Sequence, residues 1–475
     1  MARHDRLVML ATLAVLQVLT VVTGVYAMTT DFSLGALTRQ TSPTEPTASP
    51  PEGSPPPAPV VTSGPVLAQL SVKSGGGPLP TKGTLTRQLT DALGDEALGK
   101  RVGAVVLDAA TGERIFAADA DTPITPASTT KIVTSVAALA SLGPDARLST
   151  RVVQGAAPDA VVLVGGGDPL LAGPSARPGG YPKQASLVTL ASRTAAALKA
   201  RNVKKVTLTY DTSLFTGPAT APGWKPGYIP EGNVAPVHAL AIDEGRQNPR
   251  SNTPRVSDPP AHAAAAFARL LRRQGVTVAK SVRPGKAPAG AAELGRVDSA
   301  PVYALVEHTL THSDNDLAEA LARHVAIKER QPASFDGGTK AIIAVLQRLG
   351  AAQGVALSDA SGLSIRNRIS AAALAKLVAM AGSPASPDLH AVASGMPIAG
   401  FSGTLGNGRR FTGRDSRGQV GLVRAKTGTL NNVNTLAGLA TTKDGRLVTF
   451  AFLADQVPVN AEPVLDRLAA IVARS

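Results

Sequence analysis

The chain contains no cysteine in its 475 residues, only 3 % of them are aromatic, and Trp224 is the single tryptophan. Without cysteine, disulfides, a thiol nucleophile and thiolate metal sites are all excluded. The same absence is compatible with a bacterial protein that folds after export without oxidation. Because no basic run is interleaved with aromatic residues, the usual pattern of a nucleic-acid-binding surface is also lacking. We therefore expect no nucleic-acid partner.

Acidic residues are in the minority, since 34 Asp and Glu face 48 Lys and Arg, which gives a formal net charge of +14. Such an excess indicates an anionic partner or surface. The basic residues are scattered rather than gathered, so an anionic cell envelope fits them better than nucleic acid. Hydrophobic residues make up 44 % and charged residues 17 % of the chain, which predicts that most of it folds around a large core.

One long apolar run is present, at the N-terminus, where Arg3 and Arg6 precede the run Leu7–Ala27. As a helix it would span about 31 Å, enough to cross a bilayer, and the basic flank predicts that its start stays in the cytoplasm. Residues 1–30 are therefore predicted to be a membrane anchor or a signal peptide. The length of the run favours an uncleaved anchor, whereas the Val-x-Ala triplet ending at Ala27 is typical of a cleaved signal peptide.

Residues 31–80 are rich in Pro, Ser, Thr and Gly, which predicts an extended linker that cannot bury a core. Beyond residue 81, strand patterns group at the two ends of the chain, with helical patterns between them. This grouping predicts an α+β fold, an antiparallel sheet flanked by helices. The predicted end elements are helix Thr84–Leu98, strands Val102–Asp108, Arg114–Ala118, Lys426–Leu430, Asn434–Thr441 and Arg446–Ala454, and helix Glu462–Arg474.

A long insertion is expected inside this fold. Residues 151–295 contain the strand-like stretches Ala160–Val164 and Val203–Tyr210 together with many Gly and Pro, which is enough for one or two inserted domains. The sheet-forming domain is then predicted in two parts, residues 81–150 and residues 296–475.

Three short motifs, each present once, stand in a fixed order along the chain, and the first is Ser128-Thr-Thr-Lys131. A Ser and a Lys three residues apart on a helix project from one face, so the lysine can take the serine proton and create a nucleophile. Lys131 must be neutral to do so, which requires its pKa to fall by about three units, or about 4 kcal/mol. Burial and a second cation, Lys426, would both act in that direction.

The second motif is Ser313-Asp314-Asn315, just before the helical stretch Leu317–Ile327. Ser313 can relay a proton to a leaving amine, and Asn315 can bind an amide of the substrate. The alternative for this motif alone is a helix N-cap, for which Ser, Asp and Asn are all suited.

The third motif is Lys426-Thr427-Gly428-Thr429, on a predicted strand. Gly428 lets a peptide approach the strand backbone, so the substrate can lie alongside as an added strand. Lys426 and Thr427 would hold a terminal carboxylate, and the N–H groups of Ser128 and Thr429 would form an oxyanion hole. The alternative is an ordinary edge strand with a bulge.

These motifs resemble those of the penicillin-binding protein and serine β-lactamase superfamily. The 185 residues between Ser128 and Ser313 make the chain similar to the class C low-molecular-mass penicillin-binding proteins, which are D-alanyl-D-alanine carboxypeptidases and endopeptidases. The resemblance covers about residues 84–475. Other stretches that resemble signatures of that family are Gly165-Gly-Gly-Asp168-Pro169, Ala239-Leu240 followed by Asp243-Glu244, Asp359-Ala-Ser-Gly362-Leu363-Ser364 and Gly403-Thr404-Leu405.

The resemblance implies a transpeptidase-like domain in which Ser128 is the nucleophile, Lys131 the base, Ser313 a proton carrier and Lys426 a carboxylate contact. It implies a serine-type D-Ala-D-Ala carboxypeptidase that acts on peptidoglycan stem peptides and also cuts D-Ala cross-links. β-Lactams are expected to acylate Ser128 as covalent inhibitors. We expect no cofactor and no metal, and an extracytoplasmic location, with membrane attachment if the N-terminal segment is retained.

Two other functions are open at this point. A serine β-lactamase would need a fast deacylation base, and no Glu stands with an Asn some thirty residues after Ser313 as in class A enzymes. A non-catalytic wall-binding protein would not need three intact motifs. His308 and His312, four residues apart, would suit zinc only with a third ligand, which the sequence does not reveal.

Overall fold

A computed structural model describes residues 77–80, 82–176, 179–252, 254–406 and 408–475. The predictions for residues 1–30, and for all of the linker before residue 77, lie outside the described residues. Over the ranges just given, no helix has the length and apolar character needed to cross a membrane.

The strands of the described residues are β1 (Arg101–Asp108), β2 (Arg114–Ala118), β3 (Ser149–Gln154), β4 (Ala160–Val164), β5 (Lys205–Asp211), β6 (Thr277–Val278), β7 (Arg283–Pro284), β8 (Glu293–Asp298), β9 (Val355–Ala356), β10 (Arg368–Ile369), β11 (Val423–Leu430), β12 (Val433–Thr441) and β13 (Leu447–Asp455). The α-helices are α1 (Lys82–Leu93), α2 (Thr130–Leu142), α3 (Leu187–Ala200), α4 (Pro259–Arg273), α5 (Val302–His312), α6 (Asn315–Lys328), α7 (Phe335–Arg348), α8 (Ala371–Gly382), α9 (His390–Gly395) and α10 (Glu462–Arg474).

The first sheet joins the two ends of the chain. Its five strands lie in the order β11-β12-β13-β1-β2, and every neighbouring pair is antiparallel. The predicted hairpin and the three predicted C-terminal strands are all present, with ends that match the prediction or differ from it by up to three residues. This arrangement confirms the predicted α+β fold.

Helices cover both faces of this sheet, because alternate residues of its strands enter two different cores. Val105 and Leu107 of β1 pack with α2 and α8, whereas Ala104 and Val106 pack with α1 and α10. The strand β12 is consequently buried along nearly its whole length. Only β11 and β2 are edges, and β11 carries the third motif.

A second sheet lies within residues 149–298. Its strands have the order β6-β5-β4-β3-β8, with β7 paired to β5, and parallel pairs are mixed with antiparallel ones. The helix α3 connects the parallel strands β4 and β5, and α3 and α4 bury their apolar faces against this sheet in a separate core. The stretch predicted as Ala160–Val164 is β4, and the one predicted as Val203–Tyr210 is β5.

Candidate active site

The first motif begins in a turn rather than in a helix. Ser128 lies in the 3₁₀ turn Ala127–Thr129, and α2 starts two residues later, so Lys131 belongs to the first helical turn. Ala127 has a φ of +48°, a left-handed conformation that is uncommon for a residue with a side chain. The prediction that Ser128 and Lys131 share a regular helix is wrong in this detail, although the side chains do meet.

Lys131 is buried and joins several parts of the site. Its Nζ lies 3.1 Å from the Ser128 Oγ, 2.6 Å from the Asn315 Oδ1 and 2.6 Å from the carbonyl oxygen of Ser361. The oxygens of Asn315 and Ser361 can only accept, so they take two N–H groups of the lysine. The third position, toward Ser128, holds an N–H when the amine is charged and a lone pair when it is neutral.

The neutral form of Lys131 is accessible near neutral pH. Burial lowers the pKa of Lys131 to about 8, as the charged amine is removed from water, although the carboxylates of Asp359, Asp314 and Glu319 act in the opposite direction. Burial is thus the cause that sequence reasoning anticipated. The four acids around the lysine, the three just named and Asp316, limit the fall of its pKa, and the sequence did not predict them.

The second motif connects two helices. Ser313 ends α5 with a φ of +57°, and Asn315 is the first residue of α6. Asp314 caps α6, since its carboxylate accepts the N–H of Leu317 at 2.9 Å. The N-cap alternative is therefore realised by Asp314 alone, while the side chains on either side of it contact the lysines of the other motifs.

The third motif brings a second buried lysine to the site. The Nζ of Lys426 donates to the Ser313 Oγ at 2.9 Å and to the carbonyl oxygen of Thr427 at 2.7 Å. Burial lowers the pKa of Lys426 well below its ordinary value, and the nearby charges of Lys131 and Arg410 lower it further. Lys131 and Lys426 therefore hold one residue each of the second motif, Asn315 and Ser313.

Gly428 lies where β11 meets the Ala127–Thr129 turn. A Cβ at this position would stand 2.1 Å from the Thr435 Oγ1, 2.8 Å from the Pro126 oxygen and 3.1 Å from the backbone nitrogen of Ser128. Glycine is needed here because any side chain would overlap these atoms. The backbone N–H of Ser128 is thereby placed beside β11.

The outer edge of β11 offers backbone groups in the same place. Ala425 donates its N–H to Pro397, and Val423 accepts from Ala399, so these two residues direct their backbone groups away from β12. By the alternation of an antiparallel strand, Thr427 and Thr429 face the same way. The N–H of Thr429 thus points to the edge on which Ser128 lies.

The loop Asp359–Ser364, one of the stretches that resemble signatures of the family, supplies further contacts. The carboxylate of Asp359 accepts the N–H groups of Gly362 at 2.9 Å and Ser364 at 2.7 Å and the indole N–H of Trp224 at 2.8 Å. Gly362 is in the left-handed region at φ +84°, and a Cβ there would stand 1.9 Å from the Ala127 oxygen. The loop therefore fits tightly against the Ala127–Thr129 turn, and the Ser361 carbonyl oxygen accepts from Lys131.

Two other contacts in the site involve residues that do not belong to the three motifs. Thr404 lies with its Oγ1 2.8 Å from that of Thr427, which adds a hydroxyl beside the third motif. The carbonyl oxygen of Asn233 accepts the side-chain N–H of Asn315 at 2.8 Å. The Gly403-Thr-Leu signature pointed to Thr404, whereas nothing in the sequence singled out Asn233.

The histidines of α5 do have acidic neighbours. Possible ligand atoms of His308, Glu244 and Asp314 lie within 4.8 Å of one another, a cluster that the sequence did not reveal and that includes His308 without His312. Glu244, however, is paired with Arg246 at 2.5 Å and with Arg255 at 3.6 Å. Two guanidinium groups on one carboxylate disfavour a dication beside it, so we describe this cluster as an ion-pair network.

Taken together, the site unites a serine, a buried lysine of lowered pKa, a second serine–lysine pair and a strand edge that directs the Thr429 N–H toward the serine, on an α+β fold. This combination defines a serine enzyme of the acyl-transferring, penicillin-recognising class. The family model of the D-Ala-D-Ala carboxypeptidase 3 (S13) family matches residues 85–254 and 246–474, and the chain belongs to this family.

Known proteins similar to the chain agree with this assignment. It is 38 % identical over 397 residues to carboxypeptidase Rv3627c of Mycobacterium tuberculosis, covering 82 % of this chain and 84 % of that protein. It is 36 % identical over 426 residues to carboxypeptidase DacB of Mycolicibacterium smegmatis, covering 89 % and 90 %. The crystal structure of penicillin-binding protein 4 from Haemophilus influenzae shares the fold, with a TM-score of 0.66, 24 % identity, and coverage of 83 % of this chain and 98 % of that chain.

The predicted class is therefore confirmed: the protein is a class C low-molecular-mass penicillin-binding protein. The predicted type of activity, a serine-type D-Ala-D-Ala carboxypeptidase and thus a hydrolase, is confirmed with it. Because such enzymes act on the cell wall, the family membership also implies a role outside the cytoplasm.

Proposed function

We propose that the protein removes the terminal D-Ala of peptidoglycan stem peptides through an acyl-enzyme on Ser128. The single observation that carries this assignment is the position of the Lys131 Nζ, 3.1 Å from the Ser128 Oγ and held by two acceptors that leave its third position to the serine. A lysine with this arrangement and a lowered pKa is a general base for serine.

In the first step, the Ser128 hydroxyl proton moves to the neutral amine of Lys131 as the Oγ bonds to the carbonyl carbon of the penultimate D-Ala. The N–H groups of Ser128 and Thr429 stabilise the resulting oxyanion, a role supported by the contact of Gly428 with the Ser128 nitrogen. When the tetrahedral intermediate collapses, the C–N bond breaks and the terminal D-Ala leaves as an amine.

The leaving amine needs a proton, and Ser313 is in a position to pass one. Its hydroxyl accepts from Lys426 at 2.9 Å, which holds it beside the reacting groups. Ser313 gives its proton to the amine nitrogen and regains one from the charged Lys131, so the proton that Lys131 took from Ser128 leaves with D-Ala and Lys131 is neutral again. Water then bonds to the ester carbonyl carbon as its proton moves to Lys131, and Lys131 passes that proton to the Ser128 Oγ as the bond between this oxygen and the carbonyl carbon breaks. Atoms and charges are thereby restored to the starting enzyme.

The terminal carboxylate of the substrate is assigned to Lys426 and Thr427. Both belong to the edge strand β11, and the Thr404 hydroxyl beside Thr427 extends the row of donors. Asn315 is assigned to a substrate amide, because its side-chain nitrogen carries a second hydrogen besides the one given to Asn233. The peptide would lie along the edge of β11 as an added strand.

A labelled penicillin tests the nucleophile. We expect β-lactams to acylate Ser128 and to remain bound, so the intact protein should be tagged and Ser128→Ala should not. The D-Ala released from a pentapeptide stem should fall to background in the same variant. Tagging that survives Ser128→Ala would overturn the assignment, and catalytic hydrolysis of the penicillin would reassign the protein as a β-lactamase. A cross-linked muropeptide assayed in parallel would measure any endopeptidase activity.

We further propose that residues 151–295 form an inserted domain between residues 81–150 and 296–475 of the transpeptidase-like domain. The separate sheet within residues 149–298 and its own apolar core support this division. We also propose that residues 1–30 attach the enzyme to the membrane or direct its export. N-terminal sequencing of the mature protein distinguishes these cases, because a cleaved signal peptide removes the first residues.

A further inference from the structure

A buried arginine joins residues 232–255 to the second motif. The Nε and Nη2 of Arg255 donate to the Gly232 carbonyl oxygen at 3.2 and 3.0 Å, and its Nη1 donates to the carbonyl oxygen of Glu244. The same guanidinium lies 3.6 Å from the Glu244 carboxylate and 3.3 Å from the Asp316 carboxylate. The Arg255 side chain is only 3 % exposed, so these contacts are made away from bulk water.

The turn that Arg255 holds, Gly232–Ala235, is bound at two places to the first residues of α6. Asn233 accepts the side-chain N–H of Asn315 at 2.8 Å, and Ala235 donates its N–H to the Asp316 carboxylate at 2.8 Å. Asp316 thus accepts from the turn with one oxygen and faces Arg255 with the other. The guanidinium, the turn and the start of α6 form one connected unit.

This unit decides which way the Asn315 amide faces. A carbonyl oxygen can only accept, so the Asn233 carbonyl must receive the NH₂ group of Asn315. The amide oxygen is then directed to Lys131, where it takes an N–H at 2.6 Å. If the turn moved away, the amide could rotate and present its NH₂ group to the lysine, which would compete with Ser128 for the lone pair of the neutral amine.

We propose that Arg255 is a positioning residue for acylation, which acts through the Gly232–Ala235 turn to fix the orientation of the Asn315 amide. This inference rests on the proposed function, because it assigns to Asn315 a part in the reaction at Ser128. Arg255 and the turn belong to the predicted insertion, residues 151–295, whereas the three motifs lie outside it. The insertion would therefore contribute to the reaction. A misplacement of about 1 Å that a mutation causes from outside the reacting groups can lower the rate by about 100-fold.

A double-mutant cycle tests the connection. Arg255→Lys keeps the positive charge between Glu244 and Asp316, but a single ammonium cannot hold both carbonyl oxygens. We expect the rate of acylation by a labelled penicillin to fall about 10- to 100-fold in this variant. In an Asn315→Ala background the same substitution should lower the rate by less than about threefold, because the residue through which Arg255 acts is gone.

Arg246→Lys is the matched control. Arg246 also pairs with Glu244, but its Nη1 donates to the Glu244 carboxylate and not to the Gly232 carbonyl oxygen that Arg255 holds, so the rate should stay within about threefold of the wild type. Equal losses from Arg255→Lys with and without Asn315 would overturn the proposal, as would a folded Arg255→Lys protein that acylates at the wild-type rate.

Thermal unfolding shows whether Arg255→Lys is folded. If it is not, Asp316→Asn carries the same cycle, since it keeps an acceptor for the Ala235 N–H and loses the charge that faces Arg255. Additive losses in that cycle would likewise overturn the proposal. The proposed function is tested separately by the wild-type protein. If penicillin does not label Ser128 in the wild type, the proposed function is refuted, irrespective of the results for the variants.

Discussion

The Nζ of Lys131 lies 3.1 Å from the Ser128 Oγ, and burial lowers the pKa of this lysine to about 8. Lys131, the proposed base, is therefore charged in most molecules at neutral pH and neutral in about a tenth of them at pH 7. Since only the neutral amine can accept the serine proton, the reactive fraction grows as the pH rises through 8. The rate of acylation should therefore increase with pH.

We expect the acylation rate at a saturating concentration of labelled penicillin to rise about tenfold between pH 7 and pH 9 and then to level off. Saturation separates the acylation step from binding at Lys426, whose own charge also changes with pH. Stopped-flow or quenched labelling measures the rate, and circular dichroism at each pH checks that the protein stays folded. A rate that differs by less than twofold between pH 7 and pH 9 would contradict Lys131 as the base.

Gly428→Ala should impair the reaction far more than it impairs the fold. The added Cβ would stand 3.1 Å from the Ser128 nitrogen and 2.8 Å from the Pro126 oxygen, and it would overlap the Thr435 hydroxyl. We expect acylation to fall by about 100-fold, with a loss of about 1–3 kcal/mol in the free energy of unfolding. Gly418→Ala is the control, because nothing lies within 4 Å of a Cβ there. Wild-type acylation by a folded Gly428→Ala protein would remove Gly428 from the site.

Binding of a peptide that ends in D-Ala-D-Ala should be accompanied by proton uptake at Lys426. Burial and the charge of Lys131 lower the pKa of Lys426 well below its ordinary value, and an arriving carboxylate would raise it again. Calorimetry of Ser128→Ala protein in two buffers of different ionisation enthalpy measures this uptake at pH 8. In a Lys426→Arg background the uptake should disappear, since a guanidinium is always charged. Equal binding enthalpies in both buffers would show that Lys426 does not change its protonation.

Asp168 should make the protein less stable as the pH rises. Burial raises the pKa of this carboxyl to about 7 from an ordinary value of 3.8, so the folded state binds its proton more tightly than the unfolded state. The corresponding stability is complete below about pH 4 and is lost as the pH rises through 7, by up to about 4 kcal/mol.

Asp168→Asn should remove this loss, so that the free energy of unfolding in urea changes less between pH 5 and pH 8 than it does in the wild type. Asn can still accept the Leu170 N–H that Asp168 accepts at 3.0 Å. Asp444→Asn, which removes an exposed carboxylate, reports the effect of net charge alone. An unchanged pH dependence in Asp168→Asn would contradict the buried neutral carboxyl.

Most of the first sheet follows from local patterns. The strand Arg114–Ala118 and the helix Glu462–Arg474 have the predicted ends, because the turn residues Ala110-Thr-Gly-Glu113 precede the strand and an apolar face marks the helix. Ser128 is different: it was expected within the helix but lies in the turn before it. The turn forms because the Ala127 backbone contacts the Gly362 loop, 235 residues away in the sequence, and a local pattern contains no such information.

The three motifs and their order could be identified from residue types alone, because acyl transfer needs a nucleophile, a base and a backbone edge. The sequence by itself therefore determined the class of chemistry and predicted the residues that carry it, whereas the approach of Gly428 to Ser128 was not predicted. Only the tertiary structure decided how the lysines are tuned and how Asn315 is oriented, through Ser361, Asn233 and Arg255. The reason is physical: desolvation and hydrogen-bond direction depend on which distant segments meet, and that is fixed by packing rather than by spacing along the chain.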